Sequence, residues 1–116
     1  MNTNEFTKLK QRLGVRGYRH CFSYHTNEDY SYAKSFGHGE NQYDPNRCCY
    51  QIFYMVWDKR VYGADDVGVA VRISVSRTID ERIDLELLVD ENTIIKDIEN
   101  QAASFYDWCE RNIKPK

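Results

Sequence analysis

Two prolines, six glycines and five leucines are all that 116 residues contain of these types. No stretch approaches the ~18 to 20 uninterrupted apolar residues of a membrane span. The opening Met1-Asn2-Thr3-Asn4-Glu5 has none of the apolar run that marks a secretory signal, so a cytoplasmic protein with no membrane association is expected. Strong charge of one sign is missing too: 16 Lys and Arg stand against 18 Asp and Glu, without the basic excess by which many proteins hold nucleic acid. There is no nucleophile elbow, P-loop, G-x-G-x-x-G or H-E-x-x-H, which leaves the chemistry of the common enzyme classes without its residues. No repeat, low-complexity tract or linker rich in Gly, Pro or Ser divides the chain, and residues 1–116 read as one domain.

The apolar residues present are of a particular kind. Nine Tyr and five Phe outweigh the five Leu, and Val and Ile carry most of the rest. These residues suit a pleated, half-buried surface. A sheet-centred fold follows, with a core that removes roughly two thirds of the unfolded surface from water.

Periodicity locates the elements. Asn2 and Glu5 stand at capping-box spacing, and Phe6, Leu9 and Leu13 follow at three and four residues, predicting a short surface helix that Gly14 ends. Tyr18 to Tyr24 and Tyr30 to Phe36 alternate passably as two short strands, separated and followed by turn-like Asn27-Glu28-Asp29 and Gly37 to Asn41. Arg47 to Trp57 is apolar on both alternation sets, the pattern of a strand covered on two faces. Val67, Val69, Val71, Ile73 and Val75 alternate with Gly68, Ala70, Arg72, Ser74 and Ser76, and Ile83, Leu85, Leu87 and Val89 alternate with Asp84, Glu86, Leu88 and Asp90. Ile94, Ile98, Ala102, Phe105, Cys109 and Ile113 trace a final amphipathic helix with Asp90, Asn92 or Thr93 as its N-cap. Short polar connections make the strands antiparallel neighbours. The expected architecture is an α+β two-layer domain: an antiparallel meander of three to five strands with the N-terminal and C-terminal helices on one face.

That architecture exposes an imbalance. On the second sheet face, Gly68, Ala70, Arg72, Ser74 and Ser76 with Asp84, Glu86 and Leu88 are ordinary solvated chemistry. The strand 47–57 has no polar set to place there. Either Tyr50, Ile52 and Tyr54 or Phe53, Met55 and Trp57 must be covered by something other than the helices. The Tyr-rich segment 18–43 is one cover and a second subunit or other protein is another, so Tyr50, Phe53, Met55 and Trp57 are the expected partner-binding residues of a small binding or adaptor module.

A second reading starts from charge. Residues 1–19 carry five basic side chains and one acidic, while residues 80–116 carry five basic and ten acidic. Twelve of the 16 aromatics lie between Tyr18 and Tyr62, with Arg19, Lys34 and Arg47 among them. Rings that stack bases beside cations that pair phosphates are what a single-strand nucleic-acid binder needs. Lys8, Lys10, Arg12, Arg16 and Arg19 would be its contacts. The commoner meaning of such a basic helix is complementarity with an acidic neighbour in the same chain, here the last helix.

Metal and catalysis are weaker still. Cys21-x3-His25, His38 and Cys48-Cys49 do not pair at zinc spacing, and adjacent cysteines on a strand face opposite ways; no metal or cofactor is expected. Cys48 and Cys109 read as small buried hydrophobes in a reducing compartment. Gly37-His38-Gly39-Glu40, with Asp44 and Arg47 nearby, could pair an imidazole with a carboxylate, yet no nucleophile or second motif joins it, and no catalytic residue is assigned.

Overall fold

A computed structural model describes residues 1–22, 29–36, 49–76 and 82–112. Helix α1 (Thr3–Val15) is followed by strands β1 (Arg19–Phe22), β2 (Tyr30–Phe36) and β3 (Cys49–Asp58), a 3-10 turn (Lys59–Tyr62), strands β4 (Val67–Ser76) and β5 (Arg82–Leu88), and helix α2 (Ile95–Asn112). The five strands form one antiparallel sheet in the order β1-β2-β3-β4-β5. This is the α+β meander with terminal helices that the alternation pattern predicts.

Local chemistry explains each boundary of α1. Asn2 Oδ1 accepts from the Glu5 amide at 2.9 Å and Glu5 Oε1 accepts from the Asn2 amide at 2.9 Å, a reciprocal capping box. The helix does not stop at Gly14. It runs to Val15 with Arg16 as C-cap, and Gly17 takes φ +89° just beyond. The Gly17 amide then donates to the Gly14 carbonyl (3.1 Å) and the Tyr18 amide to the Leu13 carbonyl (3.0 Å), which is a Schellman closure requiring the left-handed conformation one residue past the cap. Gly14 lies inside the helix, where a right-handed residue serves as well.

Register assigns every side chain to a face. Tyr50, Ile52, Tyr54 and Val56 pair with Val75, Ile73, Val71 and Val69 of β4, and Val75, Ile73 and Val71 in turn pair with Ile83, Leu85 and Leu87 of β5. Directly opposed residues share a face, so this set lines one side of the sheet. Both helices pack there. Phe6, Leu9 and Leu13 of α1 and Ile95, Ile98 and Ala102 of α2 join Ile52, Tyr54 and Val56 of β3 and Val67, Val69, Val71 and Ile73 of β4 in one buried cluster, with Leu85, Leu87 and Phe105 partly buried against it. Cys109 is fully buried beside Val75 in a smaller cluster.

The start of α2 differs from the periodic reading. Ile94 is 57% exposed and Ile95 takes the buried place. The helix begins only at Ile95, with the Ile94 carbonyl accepting from the Asp97 and Ile98 amides, so Ile94 sits outside the helical stripe. Asp90 and Thr93 spend their side chains on the preceding turn, where Asp90 Oδ1 accepts from the Asn92 amide (2.8 Å) and Thr93 Oγ1 from the Asp90 amide (3.0 Å). Ile113 lies outside the described residues.

A candidate interaction surface on the second sheet face

The opposite face of β3 presents Cys49, Gln51, Phe53, Met55 and Trp57, because each is offset by one from the helix-covered set. Across the sheet the register builds rows. One reads Arg19, Ala33, Phe53, Arg72, Glu86 and the next reads Cys21, Ser31, Met55, Ala70, Leu88, while Trp57 lies opposite Gly68. The large apolar side chains of these rows lie on the central strand and, as Leu88, at the β5 edge, with small Ala33, Ser31, Ala70 and Gly68 beside the central ones and Arg72 next to Phe53.

Met55 is buried, Phe53 and Trp57 are half-buried, and Leu88 at the edge is 94% exposed. None of the four belongs to either core cluster. Among the described residues no helix lies over this row, since α1 and α2 both serve the other face. Around it stand polar groups: Arg72 Nε reaches Glu86 Oε1 at 3.4 Å, Arg82 bonds Asp84 through two contacts of 2.8 Å, and Gln51 Nε2 donates to Ser35 Oγ at 2.8 Å. An apolar centre with a polar rim is the anatomy of a protein-contact surface.

Of the four residues expected at a partner surface, the fold brings Phe53, Met55 and Trp57 together and separates Tyr50. Tyr50 is on the helix side, stacked on Phe36 (4.8 Å between centroids) and tilted against Tyr106 of α2 (4.8 Å). The parity of the strand makes this unavoidable, because Tyr50 and Phe53 are an odd number of residues apart. Leu88 takes its place in the row. The alternation of β5 already put Leu88 with Asp84 and Glu86, and what made it easy to overlook is that its neighbours there are charged. The Tyr-rich segment 18–43 also reads differently: 19–22 and 30–36 are strands of the same sheet, which leaves those portions unable to lie across its face. Tyr24, His25, His38, Glu40, Tyr43 and Cys48 lie outside the described residues, and with them the His38 loop.

The five basic residues of the nucleic-acid reading divide. Lys8, Arg12 and Arg16 line a groove between α1 and the start of α2. Lys10 Nζ rests 5.2 Å from the Phe6 ring, and Arg19 shares the opposite sheet face with Ala33 and Phe53. Arg16 is engaged within the chain: its guanidinium pairs with Glu99 of α2, whose other oxygen accepts from the Tyr18 hydroxyl at 3.1 Å. Lys34, among the aromatics, donates from Nζ to the Arg16 carbonyl at 2.6 Å, satisfying an end of α1 where cations are favoured.

One further ionic cluster sits at the end of β3. Asp58, 9% exposed, accepts from Arg60 Nε (2.8 Å), Arg60 Nη2 (2.6 Å), the Arg60 amide (3.1 Å) and the Tyr30 hydroxyl (3.0 Å). Its hydrogen bonds from Arg60 hold the carboxyl far below the usual carboxylate range, against the opposing effect of burial. The Arg60 guanidinium lies over the Phe6 ring at 5.2 Å. Both Asp58 carboxylate oxygens are engaged, and the cluster acts as a structural clamp joining β2, β3 and α1. Among the described residues no three His, Cys, Asp or Glu side chains gather as metal ligands would, and no helix is long and apolar enough to cross a membrane.

Comparison with known proteins returns nothing: no protein-family model, no curated protein and no solved structure matches the chain. The functional reading rests on geometry.

Proposed function

We propose that this chain is a small binding or adaptor module that works in the cytoplasm through the second face of its sheet, meeting a partner protein or a second copy of itself. The observation that carries the reading is the row Phe53, Met55 and Trp57, continued to the edge by Leu88, on the face that neither helix covers. No residue of this row belongs to either buried cluster on the helix side. Large aromatic and thioether side chains give contact area at low entropic cost, and their small neighbours Ala33, Ala70 and Gly68 leave room for a partner to approach. Single-stranded nucleic acid finds less support, because its expected cations are spread over two faces and the acidic α2 flanks three of them.

The test separates contact from fold. Light scattering after size exclusion, over a range of concentrations, reports self-association, while thermal unfolding reports stability for Trp57→Ala, Phe53→Ala and Leu88→Asp. Loss of association, or of a partner captured by the wild-type chain, with unfolding unchanged for Leu88→Asp supports the reading. A wild-type monomer in which Trp57→Ala and Phe53→Ala cost only stability makes the row internal packing and sinks it.

A further inference from the structure

The helix layer carries a second feature that the sheet-face reading does not use. Between α1 and the start of α2 runs a groove of about 810 Å³, walled by α1 from Glu5 to Arg16 and by residues 91–96 on the other side. Along α1 that is eleven steps, or roughly 16 Å at 1.5 Å per residue. Val15 at 90% exposure and Ile94 at 57% place branched apolar side chains in its lining. Isolated, each would be unremarkable on a surface. Here they share one concavity.

Cations outnumber carboxylates in its lining, Lys8, Arg12, Arg16 and Lys96 against Glu5 and Glu91. Lys8, Arg12 and Lys96 line the groove and form no ion pair with any described residue, whereas Arg16 is held by Glu99. Of the two acidic side chains in the lining, Glu5 is committed to the capping box and Glu91 stands in the turn before α2. Lys8 and Arg12 are one helical turn apart on the same side of α1, so the cations are spaced along the groove and do not converge on a point.

We infer that this groove docks an acidic amphipathic helix of a partner protein, its apolar stripe against Val15 and Ile94 and its carboxylates against Lys8, Arg12 and Lys96. One helical wall, α1, facing the turn that leads into α2 leaves a trough about as long as three helical turns, along which an amphipathic helix can lie. An open trough with distributed cations suits a row of carboxylates better than a single headgroup, and a small ligand would leave much of its own surface in water where binding pockets enclose most of it. A phosphate backbone has no apolar stripe and would leave the exposed Val15 and Ile94 uncovered.

The probe is a labelled synthetic peptide of about fourteen residues, with Leu at i, i+3, i+4 and i+7 and Glu elsewhere, beside a counterpart carrying Lys at every Glu position. With the full chain, fluorescence anisotropy should show the acidic peptide binding at least about tenfold tighter than the basic one, with affinity falling as salt rises. The pair Lys8→Glu and Arg12→Glu, with an unchanged circular dichroism spectrum, should lower that affinity by about tenfold or more, as expected for lost and reversed complementarity. Trp57→Ala should leave it unchanged, so the outcome is independent of the sheet face. Equal binding of the two peptides, no binding of either, or loss through Trp57→Ala overturns the inference. So does an oligothymidine or an anionic phosphatidylserine vesicle that binds through Lys8 and Arg12 more tightly than the peptide.

Discussion

The indole of Trp57 lies across the backbone of Gly68, its register partner on β4: a Cβ placed on that glycine would stand 3.6 Å from Trp57 Cβ and 3.7 Å from Cε3. A glycine inside a strand loses backbone entropy on folding and offers no side chain to pack. The ring fills the missing space. Because 3.6 Å is ordinary contact and Gly68 has no left-handed φ, Gly68→Ala should fold normally and gain about 0.5 kcal/mol by restricting the unfolded chain. Gly68→Leu should displace the indole and redden the Trp57 emission in a Trp108→Phe background. Identical emission for both variants would mean that Trp57 does not rest on this site.

Two buried tyrosines predict opposite responses to loss of a hydroxyl. Tyr54, fully buried, has a hydroxyl with no hydrogen-bond partner among the described residues, whereas Tyr18 donates to Glu99 at 3.1 Å. Their rings meet edge to face at 5.3 Å. Tyr54→Phe should raise unfolding free energy by about 1 kcal/mol, and Tyr18→Phe should lower it by a similar amount, since an unpaired buried hydroxyl costs and a bond to a carboxylate contributes. Urea denaturation of the two variants checks this, and equal destabilisation by both would refute it.

Stability should fall at both ends of the pH scale, for different groups. At the acid end Asp58 is the clearest contributor: its folded carboxyl ionises well below the ordinary value because of Arg60, so its stabilisation is complete above the unfolded value near pH 4 and is lost as pH falls below that. At the alkaline end burial pushes the phenols of Tyr18, Tyr54 and Tyr30 above their ordinary value. Their contribution is complete below about pH 10 and disappears as pH rises beyond it. Asp58→Asn should flatten the acid limb of a pH-resolved denaturation series and lower neutral stability by ~2 kcal/mol, the cost of leaving Arg60 without its charged partner. A variant with an unaltered acid limb would remove Asp58 from that role.

Core polarity offers a coarser check. Val71 and Ile98 come from the sheet and from α2 and meet in the same buried cluster. Val71→Asp or Ile98→Asp should each cost several kcal/mol, because the carboxylate enters an apolar layer unpaired. Thermal unfolding at the wild-type temperature for either variant would disprove the layer arrangement.

Much of this was legible in the chain itself. Alternation in Val67–Ser76 and Arg82–Leu88 decided which residues face the helices, since successive strand side chains point opposite ways whatever the fold around them. The Asn2 and Glu5 pair started α1 by a bond pattern closed within four residues. The doubly apolar strand announced that one of its faces would lack a helix, and parity alone bound Phe53, Met55 and Trp57 into one set. These features are local. What only the tertiary structure decided is which of the two sets of β3 the helices would choose, because that depends on the register with β4 and β2 across long loops: pairing Ile52 with Ile73 and Tyr54 with Val71 put Tyr50 under α2 and left Trp57 over Gly68. It also decided that Lys8, Arg12 and Lys96 would share a groove with Val15 and Ile94, residues some eighty positions apart, and that Gly17 would close α1, since a left-handed turn is chosen by where the chain must go next to enter β1.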